Sequence, residues 1–352
     1  MKSWDVIIVG AGIIGVSLAL ELQDRGTTVL VLDRAEPGAE ASSAAAGMLA
    51  PTDPETPAAL RPLAMESARM FPAFVHQLET AGNMQVDFRR VGTIALLSHA
   101  TAPSAYRRLS AADLHRLEPL VHSRVLSPFF VQEDSVDPLL LMRALLIAAR
   151  NSGIEIHGHT TVREIRARDH AVEVLTQSST LTAASVVDCR GAWSGAPVRP
   201  RKGQMLYVLP QGSVLQHVLR APDVYIVPRS SGKVLIGATV EDVGFDKAVN
   251  SSATHKLISA AANYVPELAS GAISQSWAGL RPGTPDDLPI IGATEPTGAT
   301  NTARMFVATG HFRNGILLAP ITAKIMADLL NGRPSPLDVT AFAPSRFRSI
   351  PT

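Results

Sequence analysis

Apolar residues fall along the chain in two patterns: short continuous runs, and longer stretches with helical spacing. WDVIIVG (4–10) is a continuous apolar run closed by a glycine, the mark of a central parallel strand buried on both faces. GIIGVSLALELQDRG (12–26) has helical spacing and a natural stop at Gly26. TTVLVLD (27–33) is a second buried strand. Together they predict a β-α-β unit of about 30 residues.

Residues 57–80 read as helix. Residues 82–136 mix strand-like pieces, VGTIALLS and SPFFVQED, with a short helix at SAADLHRLEP. Asp137-Pro138 opens a helix well, since Asp caps and Pro suits the first turn; that helix ends near Asn151 to Gly153. IEIHGHTTVREIRARDHAVEVLTQ (154–177) alternates as paired strands do. SVVDCRGAWSG is an apolar strand running into a glycine turn. Strands return from about 200 to 245 (QMLYVL, VYIVPR, KVLIGATV), a helix follows near 253–264, and 305–332 closes as strand, turn and long helix. The alternation predicts an α/β chain whose nucleotide domain is discontinuous, taking 1–81, 137–198 and 270–352. Residues 82–136 and 199–269 form a second, strand-rich α+β substrate domain.

The 352 residues suffice for two modest domains, and 46% hydrophobic against 18% charged residues excludes disorder. A net charge of +1 gives no reason to expect nucleic acid or an anionic membrane as partner. Cys189 stands alone, so no internal disulfide forms and a reducing compartment, the cytoplasm, is expected. It sits in a strand-to-glycine turn and reads as a buried, inert thiol. The N-terminus enters a strand at once and does not read as a signal peptide. The most apolar helix, 138–149, is too short to span a bilayer and carries Arg143, so no membrane span is expected. No metal site is expected.

Gly10, Gly12 and Gly15 form G-x-G-x-x-G between strand and helix. The first permits the tight turn, the second lets the backbone approach a pyrophosphate, and the third lets helix and strand pack closely. The helix N-terminus offers free N–H groups to the phosphates. Asp33 ends the second strand, 18 residues after Gly15, and accepts hydrogen bonds from ribose hydroxyls. An acid there suits NAD or FAD over NADP, and the motif alone does not separate those two. EASSAAAGMLAP (40–51), nearly all small side chains, follows soon after. It suits either close backbone passage past a flat ring and a pyrophosphate or a tightly packed helix start.

WAGLRPGTPDDLPIIG (277–292) places Arg281 in a Gly/Pro-rich turn, and ATGHFRNGILLAP (308–320) places Arg313 in the turn before the last helix. With Tyr225 of VYIVPR, these arginines suit a carboxylate, which guanidinium binds bidentately. The glycine signature, SSAAAGMLAP, WAGLRPGTPDDLPIIG, GHFRNGILLAP and YIVPR…G…IGAT together resemble the FAD-dependent D-amino acid oxidase family, most of all its glycine oxidase branch linked to thiamine biosynthesis. The resemblance covers essentially the whole chain. It implies a Rossmann-type (GR2-like) FAD domain and non-covalent FAD. It also implies oxidation of a small amino acid or amine to its imino acid, with O₂ reduced to H₂O₂ and the imino acid hydrolysed to oxo acid and ammonia.

The resemblance also assigns residues. Arg281 resembles the main carboxylate-binding arginine, with Tyr225 and Arg313 as its helpers. Ile13, Ile14, Asp33, Arg34, Ser42, Ser43, Ala46, Gly47 and Met48 resemble FAD contacts. Val162 resembles a residue whose backbone meets the adenine. His311, Phe312, Arg313, Asn314, Gly315, Ile316 and Leu317 resemble the turn along the flavin's pyrimidine edge. There the start of the last helix would face the negative charge that reduced flavin builds. His311 is the single candidate base, with a structural role expected. The sarcosine oxidase relatives hold flavin through a cysteine near the region of Arg281, and none stands there. Two positions depart from the glycine oxidase pattern: Asp223 stands where a His precedes the Tyr by two, and Val240 where a Met follows GAT. Both bear on substrate size or charge, and the family's homo-oligomer is compatible with the chain without being required by it. An NAD-linked dehydrogenase, a quinone-linked amino acid dehydrogenase, another D-amino acid or secondary amine oxidase, and a flavin-binding protein without turnover are the rival readings.

Overall fold

The computed structural model describes residues 3–98, 102–122, 126–212, 215–294 and 304–347. The first apolar run forms the strand Trp4–Val9, buried at every residue but Asp5. It lies parallel between Val29–Leu32 and Thr180–Asp188. Glu155–His157 continues the parallel set past Val29–Leu32, and Arg304–Thr309 continues it past Thr180–Asp188. Val162–Ala167, Val172–Thr176 and Ile290–Thr294 add antiparallel margins.

Continuous apolar runs are needed because this sheet is covered on both faces. Val6, Ile8, Val29 and Val31 enter the helix-packed core, while Ile7, Val9, Leu30 and Leu32 meet Val172 and Val174 of the hairpin strands. Each such side chain contributes roughly 1.5–3 kcal/mol by leaving water.

Six α-helices are described: α1 (Ile13–Asp24), α2 (Arg61–Gly82), α3 (Ala111–Leu117), α4 (Pro138–Asn151), α5 (Ser251–Ala262) and α6 (Gly315–Leu330). α1 packs on α6 and α4, and α2 packs on the same two. Asp137 caps α4 as its sequence foretells, accepting from the N–H groups of Leu139 (2.9 Å) and Leu140 (3.2 Å).

A second sheet of eight strands runs in the order Ala272–Gly283, Arg199–Leu209, Val234–Gly237, Tyr225–Pro228, Val218–Arg220, Thr93–Leu97, Ser127–Val131, Arg107–Arg108. α3 and α5 cover one face through Leu114, Leu257 and Ala261. Here the expected layout needs correction. The switch back to the nucleotide unit does not come at 270: Ala272–Gly283 pairs along its length with Arg199–Leu209. Arg281 therefore stands in a strand, opposite Arg201, and not in a turn. Gly and Pro look like turn signals, but this is an edge strand, and an edge tolerates Pro282 because no neighbour needs its N–H.

The alanine run lies between the two units as turns over 40–44, not as a helix start, and passes into the short strand Met48–Leu49, which pairs with Asp134–Val136. The second sheet presses directly upon it. The indole N–H of Trp277 donates to the carbonyl of Ala44 (3.1 Å). Arg229, itself buried, donates to the carbonyls of Ala46 (2.6 Å) and Val136 (3.0 Å). A Cβ on Gly279 would lie 2.6 Å from that of Ala44. Gly47 has φ +78°, and a Cβ there would collide with the carbonyl of Val136.

Gly47→Ala should therefore destabilise the protein beyond the 1–2 kcal/mol of the left-handed backbone alone, by roughly 3 kcal/mol or more. Gly26→Ala, at φ +80° with open space around it, should cost only about 1–2 kcal/mol. Denaturant melts of the two variants check this; equal losses would contradict the packing account.

Candidate active site

One cavity of about 750 Å³ runs from the C-terminal end of the parallel sheet to the second sheet. At its first end stands the glycine turn. Gly10 has φ +113°, and a Cβ there would strike the carbonyl of Cys189. Gly15 packs against Gly10 and does not reach the cavity, in keeping with a packing role. α1 begins with no acid in its first turn, so its N-terminal charge is left for an anion. The N–H of Ile13 donates to Ser42 Oγ (2.9 Å), which ties the alanine run to this helix start.

Asp33 lines the same end. Its carboxylate accepts from Ala11 N–H (2.7 Å) and Ala35 N–H (2.9 Å), which fixes it in place. Arg34 stacks on Trp193, 3.8 Å from the ring centroid, and pairs with Glu40. Thr160, Thr161 and Val162 complete the wall nearby.

The middle wall is the alanine run, with Ser42, Ala44, Ala45, Ala46, Gly47 and Met48 on the cavity. Ser43 lies off the wall, and its hydroxyl donates to the carbonyl of Gly38 (2.6 Å). Leu317 is buried one position past the wall, where Ile316 ends the lining. His311, Phe312, Arg313, Asn314, Gly315 and Ile316 line the far wall at the start of α6. Gly310 (φ +74°) and Phe312 (φ +44°) make the sharp turn that aims this helix start at the cavity. The first turn of α6 also carries no acid.

His311 is buried beside Thr322, Nε2 to Oγ1 3.1 Å. Burial pushes its pKa down to about 3, so the ring is neutral and is no proton store near neutrality.

The substrate side is set by the second sheet. Arg281, Tyr225, Met205, Gly203, Ala238 and Val240 line it. Arg281 donates to the carbonyl of Thr239 (3.2 Å), and its guanidinium lies across Gly203, where any Cβ would collide with it. Tyr225 donates to Met205 Sδ (3.2 Å). Burial raises the phenol above its ordinary pKa against the pull of Arg281, so it stays a proton donor. Arg313 reaches the same cavity but its guanidinium is paired with Glu55, so the two arginines are not equally available. Asp223 stands on the wall and accepts from the Tyr264 hydroxyl (3.0 Å).

Sequence reasoning missed Gly203, Trp193, Glu55 and Asp53. Gly203 had a readable signal, since a glycine inside a strand marks a close approach. The others depend on contacts between distant segments.

A profile of the FAD dependent oxidoreductase family matches residues 5–329. The chain belongs to that family. It is 32% identical to the glycine oxidase of Bacillus licheniformis, over 99% of both chains. It is 36% identical to the bifunctional protein ThiO/ThiG of Trichormus variabilis; the match covers 98% of this chain but only 55% of that longer protein. The crystal structure of glycine oxidase from Geobacillus kaustophilus superposes with a TM-score of 0.92 at 30% identity, covering 98% of this chain and 99% of that one.

The family's cofactor is FAD, and the cavity fits it. Two acid-free helix starts face one continuous cleft, a fixed carboxylate stands where a ribose would lie, and small residues leave the middle wall shallow. Ile13, Ser42 and the start of α1 would hold the pyrophosphate, Asp33 the ribose, and Ala44 to Met48 with 311–316 the flavin.

Asp33→Asn should weaken FAD retention on the order of tenfold, because the ribose loses a charged acceptor; fluorescence of released flavin measures it. The neutral His311 gives a pH signature. Its folded pKa lies below the ordinary 6.5, so its contribution is complete above pH 6.5 and is lost as pH falls toward 3. His311→Gln should flatten the fall of Tm across that window; an unchanged slope would contradict the assignment.

Proposed function

We propose that the protein is an FAD-dependent oxidase of glycine or a similarly small amino acid or amine. The observation that supports this most is Arg281, a guanidinium with no carboxylate partner among the described residues, beside a protonated Tyr225 on the wall facing the flavin-side turn. Such a pair binds a substrate carboxylate and leaves the adjoining Cα toward the cavity centre.

Bound FAD supplies a two-electron acceptor for the Cα–H, and O₂ restores it while forming H₂O₂. The protein's own task is orientation. Arg281 grips the carboxylate, Tyr225 donates to it, and Gly203 gives the guanidinium its room. No base on the wall is needed if the amine arrives neutral, which agrees with a His311 that is buried and neutral. The imino product then hydrolyses to oxo acid and ammonia. FAD is held without a covalent bond in this reading, since Cys189, the chain's one cysteine, is buried and its thiol is pushed well above its ordinary pKa. The named relatives support glycine as substrate, and the bifunctional ThiO/ThiG relative supports a role in thiamine biosynthesis. No helix among the described residues is long and apolar enough to cross a membrane, and the single cysteine supports a cytoplasmic setting.

A second reading, an oxidase for a larger or cationic amine on the same fold, is favoured by Asp223. Its exposed carboxylate stands on the substrate side without a cationic partner among the described residues.

A panel of glycine, sarcosine, D-amino acids and primary amines, scored by H₂O₂ release, separates the two. Glycine or sarcosine should lead. Arg281→Met should raise KM for the best carboxylate substrate on the order of tenfold to a hundredfold while FAD stays bound. An unchanged KM would sink the assignment.

A further inference from the structure

Arg313 and Arg281 enter the cavity from neighbouring pieces of structure, since the strand Ala272–Gly283 packs against the turn Phe312–Asn314. Two guanidiniums on one cavity offer two places for an anionic ligand. The structure gives them different surroundings. Among the described residues Arg281 has no carboxylate partner and meets the Thr239 carbonyl and Tyr225, whereas Arg313 is already paired with the Glu55 carboxylate.

Glu55 is held there from behind. It belongs to the segment 50–57, whose Asp53, Glu55, Thr56 and Pro57 all line the cavity. The Asp53 carboxylate accepts from the Glu55 N–H (2.8 Å) and pairs with Arg220 (3.1 Å). Arg220 is buried in the second sheet, where it also pairs with Glu133 (2.9 Å) and donates to the Tyr106 hydroxyl (2.8 Å). Thr52 donates to Glu133 (3.0 Å), and Tyr106 donates back to the carbonyl of Thr52 (3.0 Å). A buried network thus fixes residues 52 and 53, and Asp53 in turn holds the backbone of Glu55 at the cavity.

We propose that Glu55 is a specificity-determining residue: by occupying Arg313 it leaves one cationic position, Arg281, and so restricts the site to substrates with a single carboxylate. The proposal rests on the oxidase reading for what the cavity binds. A substrate bearing a second carboxylate must displace Glu55 from Arg313 and then bear its repulsion at the mouth of the cavity. A substrate with one carboxylate meets neither cost. Charge balance, more than volume, then sets the limit on acidic substrates.

The test uses the FAD-loaded protein with malonate and acetate as probes, read by perturbation of the flavin absorbance. The native protein should bind acetate in preference to malonate. Glu55→Gln should tighten malonate about tenfold more than acetate, the size of one charge–charge contact near a protein surface. Asp53→Asn, which loosens the anchor and keeps the Glu55 charge, should move the ratio the same way by a smaller factor. Equal changes for both probes in Glu55→Gln, or no change, would overturn the proposal. Loss of turnover on every amine by the native protein would defeat the oxidase reading and leave this binding ratio fully readable.

Discussion

The contact that organises the molecule is the press of the second sheet on the alanine run. Trp277 and Gly279 of the strand Ala272–Gly283, and Arg229 just past the strand Tyr225–Pro228, close on residues 44–46. Larger side chains there would hold the sheet away. Small ones let the run act as a thin partition, with the sheet on one side and the cavity on the other. Ser42 then joins this partition to the start of α1. The same few residues thus hold the two units together, line the cavity and steady the start of α1.

Arg281 depends on that contact. The strand that bears it also bears Trp277 and Gly279, so anything that shifts the partition shifts the guanidinium. Around it the charges are arranged unequally. Arg281 has no carboxylate partner among the described residues, Arg313 is taken by Glu55, and Arg220 pairs within the protein with Asp53 and Glu133. Three arginines close to one cleft have three different roles, decided by which acids each one meets.

Much of this was legible in the sequence. The β-α-β unit, its glycines and Asp33 were readable because local pattern alone determines them: continuous apolar runs need a doubly covered sheet, and G-x-G-x-x-G needs a tight turn. The start of α6 was readable for the same reason. Arg281 was recognised as a residue but placed on the wrong element, since Gly and Pro signal turns unless the strand lies at an edge. Ser43 and Leu317 lie just off the cavity wall. A hydroxyl's direction and the last residue of a wall follow from three-dimensional detail that spacing does not carry. The ion pairs of Glu55 and Asp53 join segments far apart in the chain, and no local pattern announces them.

The most direct test is a crystal structure of the FAD-loaded protein with acetate bound. The account predicts the isoalloxazine between Ala44–Met48 and the turn 311–316, with the acetate carboxylate on Arg281 and Tyr225 and the Glu55–Arg313 pair intact. Acetate seated on Arg313 with Glu55 displaced, or a flavin ring lying away from the alanine run, would contradict it.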